Sequence, residues 1–426
     1  MTEHVFAPHK AGADDDFGRV ARLGCVAVPI ISFDIERNLG ELFALWADQR
    51  FAPGTGAHTD EDTRPHLMVA VNRATDAELA HIESLYREYP ALAASFSGFS
   101  AQSCDLEGER DIYAREDDTR WGEKGPAFGR KAGPNFLFQR TIEMAAAYGG
   151  FTLQVELDCL PVGPGWLAAV DEVIADHPRA WVIGSHYAGG DALGADVKSH
   201  MNGNALYHAG DPRFRAFLSD VWMPRILHQI AERPDLAYDC WWAVERHEAD
   251  ARANNTSWQL FQIYDSFFHA DPFVINLLVP EAGTQYYKRV FERFESLGVP
   301  PVFLHGPAMN AARRAALQQP ENTLFEIIDQ LDTPPLSAIR RPRSAGQTER
   351  LRTDRQSLDR QCQIQSSSRL LLQVAAEMLN PGSNPELPDR AQAIREAVAA
   401  LGADHPARLH YDGVCAFAKS RAEVIV

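Results

Sequence analysis

The sequence predicts an α/β fold, a mostly parallel sheet flanked by helices, over residues 21–332. Three observations carry this. Short runs rich in Val, Ile and Leu end at turn residues, as buried strands do. They alternate with segments whose apolar residues keep helical spacing, the pattern of parallel sheets with right-handed crossovers. Hydrophobic residues make up 45% of the 426 and charged residues 23%, a globular mixture that excludes wholesale disorder.

The elements follow in order. Cys25–Ile31 reads as a buried strand. Asp34 is placed to cap a helix over Ile35–Asp48, with Leu39, Leu42, Leu45 and Trp46 on its apolar stripe. His66–Val71 is a second strand, and Asp76 caps a helix through Tyr86 with Leu79, Ile82 and Leu85 inward. Asn135 precedes a helix over Phe136–Tyr148, stopped by Gly149-Gly150. Phe151–Val155 is a strand with Phe151, Leu153 and Val155 on one face and Thr152 and Gln154 on the other. Ala180–Ser185 is another. A Gly/Asp-rich loop, Ala188–Val197, has the composition of a lid. Asp211-Pro212 opens a helix as N-cap and first residue. Phe273–Val279 and Val302–Leu304 are late strands.

The ends are different in kind. Residues 1–20 read as a flexible tail. Residues 333–368 hold seven arginines against three acids, three prolines and a polar run, which reads as a basic linker. It is either simply solvated or a contact for a membrane surface or partner. Residues 369–426 read as a helical appendix, with helices expected at Leu370–Leu379 and Arg390–Leu401.

Charge and cysteine usage bound the function. With 41 Lys and Arg against 58 Asp and Glu, the net charge is −17, which argues against nucleic acid as a partner. No apolar run approaches the roughly 18–20 residues that span a bilayer. Met1–Gly18 has no apolar stretch of the kind a secretory signal needs. Six scattered cysteines without a CxxC pair suit a reducing compartment. The expectation is a cytoplasmic protein with no transmembrane segment and with room for peripheral membrane contact.

In parallel sheets ligands bind at the carboxyl ends of strands. There Glu156-Leu157-Asp158 follows Phe151–Val155 and ends at Pro161 and Gly163. Two carboxylates two residues apart on a strand share a face and repel unless a cation lies between them; oxygen ligands of this kind suit Mg²⁺ or Mn²⁺ shared with a diphosphate. The plain alternative is an exposed acidic strand end. Gly129-Arg130-Lys131-Ala132-Gly133-Pro134-Asn135 is a Gly-rich basic loop opening a helix, an anion site by dipole and charge or an ordinary capped loop.

Strand, acidic-x-Asp, turn, helix resembles the metal-binding signature of GT-A-type glycosyltransferases, here with Glu156 in place of the usual first Asp. The resemblance covers about residues 22–310. It implies a GT-A-like, Rossmann-type sheet and a donor that is a nucleotide-diphosphate sugar, transferred to a hydroxyl-bearing acceptor. By the same resemblance Arg130, Lys131 and Asn135 lie near the diphosphate, and Asn202, Gly203 and Asn204 lie beside the donor sugar and acceptor. Asn side chains suit sugar hydroxyls, although Asn-Gly is equally a hairpin turn. The run Tyr238–Glu245 corresponds to the segment carrying a general base, with Asp239 first and Glu245 second; an N-cap and a solvated helix residue are their plain readings. Trp241 and Trp242 are either stacking platforms or core. His305 completes the metal site with Glu156 and Asp158, or is structural; no other histidines show zinc spacing. A nucleotidyltransferase of similar fold is the rival enzyme, but the stretch after the first strand, Pro29–Asp34, lacks the Gly-rich loop such enzymes need. A catalytically silent sugar-binding or scaffold domain is the other alternative.

Overall fold

Why the site sits where it does follows from one reversal of strand order. The computed structural model describes residues 21–54, 64–114, 120, 125–189, 199–251, 255–277 and 284–331. The predicted tail, linker and appendix, and residues 190–197 of the predicted lid, lie outside these. The main sheet has seven strands in the order β3-β2-β1-β4-β7-β6-β8. They are β1 (Leu23–Ile31), β2 (His66–Asn72), β3 (Gly98–Ser103), β4 (Phe151–Gln154), β6 (Val182–Gly184), β7 (Leu206–Tyr207) and β8 (Phe268–Ala270). All neighbours are parallel except β7, which runs against β4 and β6. From β1 the chain steps outward through β2 and β3, then returns to β4 on β1's other side. That is a switch point of the kind where α/β sheets open a crevice at their carboxyl ends. A small second sheet joins β5 (Cys159–Pro161), which follows β4 closely in sequence, to the late strands β10 (Phe303–His305) and β9 (Val274–Asn276), in the order β5-β10-β9.

Both faces of the main sheet are covered. Alternation along β1 sends Val26, Val28 and Ile30 to one core and Cys25 and Ala27 to the other. The first core packs Phe43, Trp46, Trp166 and Ile174; the second packs Phe138, Tyr207, Trp222 and Trp241. Cys25, Cys104, Cys159 and Cys240 are free thiols. Among the described residues no helix is long and apolar enough to cross a membrane.

Several predicted boundaries move for local reasons. Asp34 does not cap: the helical stretch starts at Ser32, and Asp34 Oδ1 instead accepts from Asn38 Nδ2 at 2.8 Å one turn later. A π segment, Ile35–Leu39, follows before the α-helix Gly40–Ala47. The next helix, Asp76–Arg87, is capped by Thr75, whose hydroxyl and Glu78 form a reciprocal capping box, so Asp76 is its first residue. Asp211 is a true N-cap with Pro212 following, as predicted. The edge strand β3 was not predicted; GFSAQS has little apolar periodicity and is half-exposed throughout.

Candidate metal centre

The centre is assembled by a turn and a strand pairing. β4 ends at Gln154, and Cys159 N bonds Glu156 O at 3.0 Å, closing a turn over Glu156–Cys159. Glu156 and Asp158 therefore converge through this turn, not through strand alternation as the sequence suggested. β10 then pairs antiparallel with β5, placing His305 opposite Cys159. His305 Nε2 lies 3.2 Å from Glu156 Oε2 and 3.3 Å from Asp158 Oδ1. One ligand atom from each of the three residues lies within 4.8 Å of the others, as a shared ion requires.

The next residue holds the geometry. Gly306 has φ of 140°, outside the range open to residues with a side chain, and a Cβ there would run into Leu277 O and the Tyr287 hydroxyl. Tyr287 Oη donates to the carbonyls of Leu277 and His305 at 3.0 and 2.9 Å. Gly306→Ala is expected to cost about 2–3 kcal/mol and to weaken metal binding by displacing His305; thermal melting and a Mn²⁺ titration check both.

The charges are strongly coupled. Burial pulls the His305 imidazole down, but its bonds to Asp158 and Glu156 outweigh burial and carry it up to about 10. Burial raises Asp158, and the bond and charge of His305 more than reverse this, holding it below the usual carboxylate range. In the metal-free protein an imidazolium thus supplies the positive charge between the carboxylates. Its contribution to stability is complete below the unfolded value of 6.5 and is lost as pH rises through about 10. A metal ion must displace that proton. Mn²⁺ affinity should therefore rise about tenfold per pH unit from neutrality toward the His305 value. Calorimetry in buffers of different ionisation heat would count the proton released.

The Asn202-Gly203-Asn204 segment turns toward the centre without forming a hairpin. Asn204 Oδ1 accepts from Glu156 N at 2.6 Å, and its Nδ2 donates to Glu156 Oε2 at 3.1 Å. Asn202 Oδ1 accepts from Asn204 N and Nδ2 at 2.9 and 2.7 Å. Gly203 O accepts from Gln154 Nε2 at 3.0 Å, and Gly203 packs where a Cβ would strike the Tyr238 hydroxyl. These buried groups orient Glu156, and both N–H bonds of the Asn204 amide are spent on Glu156 and Asn202.

Arg313 was missed by the sequence reading. It is fully buried, donates to Glu41 at 3.1 Å and Asn38 at 3.0 Å, and bonds the carbonyl of Leu157 at the middle of the acidic turn. No local pattern marks it, because its partners lie 156 to 275 residues away.

The predicted bases separate. Asp239 lies in the first turn of the helix Tyr238–Ala251, its side chain 19% exposed, with Oδ2 3.8 Å from His200 Nε2. Burial raises its pKa, His200 counteracts, and the charge of Glu156 adds to the rise, so Asp239 and the acidic turn feel one another. Glu245 is elsewhere in role. It is fully buried and saturated by Arg225 (2.9 and 3.1 Å), Gln229 (3.0 Å), Trp241 (3.0 Å) and Ser257 (2.5 Å). Every lone pair it has is in use, so it is a structural node and not a base. Trp241 and Trp242 are both core, stacked on Trp222 and Phe268 at 5.3 and 4.3 Å.

The basic loop is likewise structural at two of three positions. Arg130 is buried and paired with Asp235 at 2.9 Å. Asn135 lies inside the helix Ala132–Ala145, with Lys131, half-buried, at its N-cap. Asn135 donates to Leu236 O at 3.0 Å and accepts from Tyr238 N at 2.8 Å, capping the helix that carries Asp239. Its cap is real but serves a distant helix, not its own.

No family model matches the chain, and no curated protein matches its sequence. Among solved structures it is similar to mouse xyloside xylosyltransferase 1, at 11% identity and a TM-score of 0.35, over 63% of this chain and 92% of that one. It is similar to the glycosyltransferase GlyE of Streptococcus pneumoniae at 10% identity and 0.32, over 76% and 66%. The bifunctional glycosyltransferase WbbM matches at 8% identity and 0.32, over 74% and 52%.

Proposed function

We propose that this chain is a metal-dependent glycosyltransferase, moving a sugar from a nucleotide-diphosphate donor to a hydroxyl acceptor. One observation carries the reading: Glu156, Asp158 and His305 converge just beyond the carboxyl end of β4, beside the switch point of a parallel sheet. Two carboxylates and an imidazole fit a divalent cation, and the imidazole favours Mn²⁺ over Mg²⁺. When bound, the cation would neutralise the leaving diphosphate. Asn204 holds Glu156, and Arg313 holds the turn, so the carboxylates are set before substrate arrives. Asp239, its pKa raised by burial and by Glu156, is suited to take the proton from the acceptor hydroxyl.

The nucleotidyltransferase alternative loses its expected phosphate loop. β1 runs directly into helix at Ser32, with no Gly-rich turn between them. The test is release of nucleoside diphosphate from a panel of UDP- and GDP-sugars. Release that needs Mn²⁺ and stops with EDTA is expected. No release from any donor would favour the silent sugar-binding or scaffold reading.

A further inference from the structure

Asn276 is fully buried on β9, and the parallel register of β9 and β10 sets it directly beside His305. Its Oδ1 lies 3.0 Å from His305 Nδ1, and its Nδ2 lies 3.4 Å from His200 Nε2. His200 Nε2 is in turn 3.8 Å from Asp239 Oδ2. A backbone bond from Ala188 N to Asn276 O at 2.9 Å and a bridge to Tyr187 pin the strand from its other side.

We infer that Asn276 is a positioning residue, one amide that fixes the ring of the metal-ligand candidate His305 and the ring of His200 beside Asp239. The inference rests on the metal reading above. An imidazole that offers its Nε2 lone pair to an ion carries its proton on Nδ1, and a buried N–H needs an acceptor. Asn276 Oδ1 is that acceptor, and it serves the metal-free imidazolium equally well. The other end of the same amide, Nδ2, faces His200 Nε2 at 3.4 Å. The rings on either side of the centre are thereby held in place by one side chain that does not itself titrate.

The test is Mn²⁺ affinity, read from the free-ion electron paramagnetic resonance signal. Asn276→Leu, similar in volume but without hydrogen bonds, should bind Mn²⁺ about 10- to 100-fold more weakly. Asn276→Asp keeps an acceptor for Nδ1 and should stay within about threefold of wild type. If Asn276→Leu does not fold, Asn276→Ser, too short to reach His305, takes its place with the same expected loss. Wild-type affinity in the Leu or Ser variant, or equal loss in the Asp variant, would overturn the inference alone. A wild-type protein that binds no Mn²⁺ would overturn the metal reading and this inference with it.

Discussion

Asp158→Ala should lower metal-dependent turnover by about a thousandfold or more while leaving the protein folded. The size follows from what the carboxylate does. It is one of three side chains that can hold the cation, and catalytic charge stabilisation is worth about 10²–10³-fold per group even for a single hydrogen-bond donor. Folding should survive because Glu156 still faces His305 at 3.2 Å, so the imidazolium keeps one partner. With Asp158 gone, His305 loses the first of its two stabilising bonds and its pKa should fall. Circular dichroism and donor turnover, measured on the same preparation, separate lost chemistry from lost structure. A scaffold protein would show no change in partner binding with the same substitution.

Glu245→Ala should do the opposite, destabilising the fold by about 3 kcal/mol without changing turnover per folded molecule. Removing the carboxylate strands Trp241 Nε1 and Gln229 in the interior and leaves the Arg225 guanidinium without its bidentate partner. Arg225 keeps 23% of its side-chain surface in water, which places the cost at the lower end of the range for broken buried pairs. Thermal melting gives the loss, and kcat measured well below the transition gives the chemistry. Lost turnover with an unchanged melting temperature would return Glu245 to the catalytic machinery.

These two carboxylates show what a sequence carries. Glu156-Leu157-Asp158 was legible because its signals are local: a strand of period two, then acids, then a Pro/Gly turn. The two acids do converge, but a turn brings them together where strand alternation was expected. His305 was legible as a histidine at a strand end. Glu245 was misread because its role is set by Arg225, Gln229 and Ser257 on neighbouring helical segments, up to 20 residues away. Asn135 looks like a cap for the helix it begins, yet its partners lie 101 and 103 residues on. Asn276 and Arg313 had no pattern to offer, since strand register and tertiary packing alone give them their partners. The main strands and helices were readable for the reason the acidic turn was: hydrophobic periodicity is a property of neighbours in the chain.

The acidic turn and His305 are proposed to bind a nucleotide-sugar donor through a divalent cation. Calorimetric titration of UDP- and GDP-sugars into wild type and Asp158→Ala, each with and without Mn²⁺, tests it most directly. Donor binding by the wild type that requires Mn²⁺ and disappears in the variant is the predicted result. Donor binding of equal strength with or without Mn²⁺, or unchanged in Asp158→Ala, would contradict it.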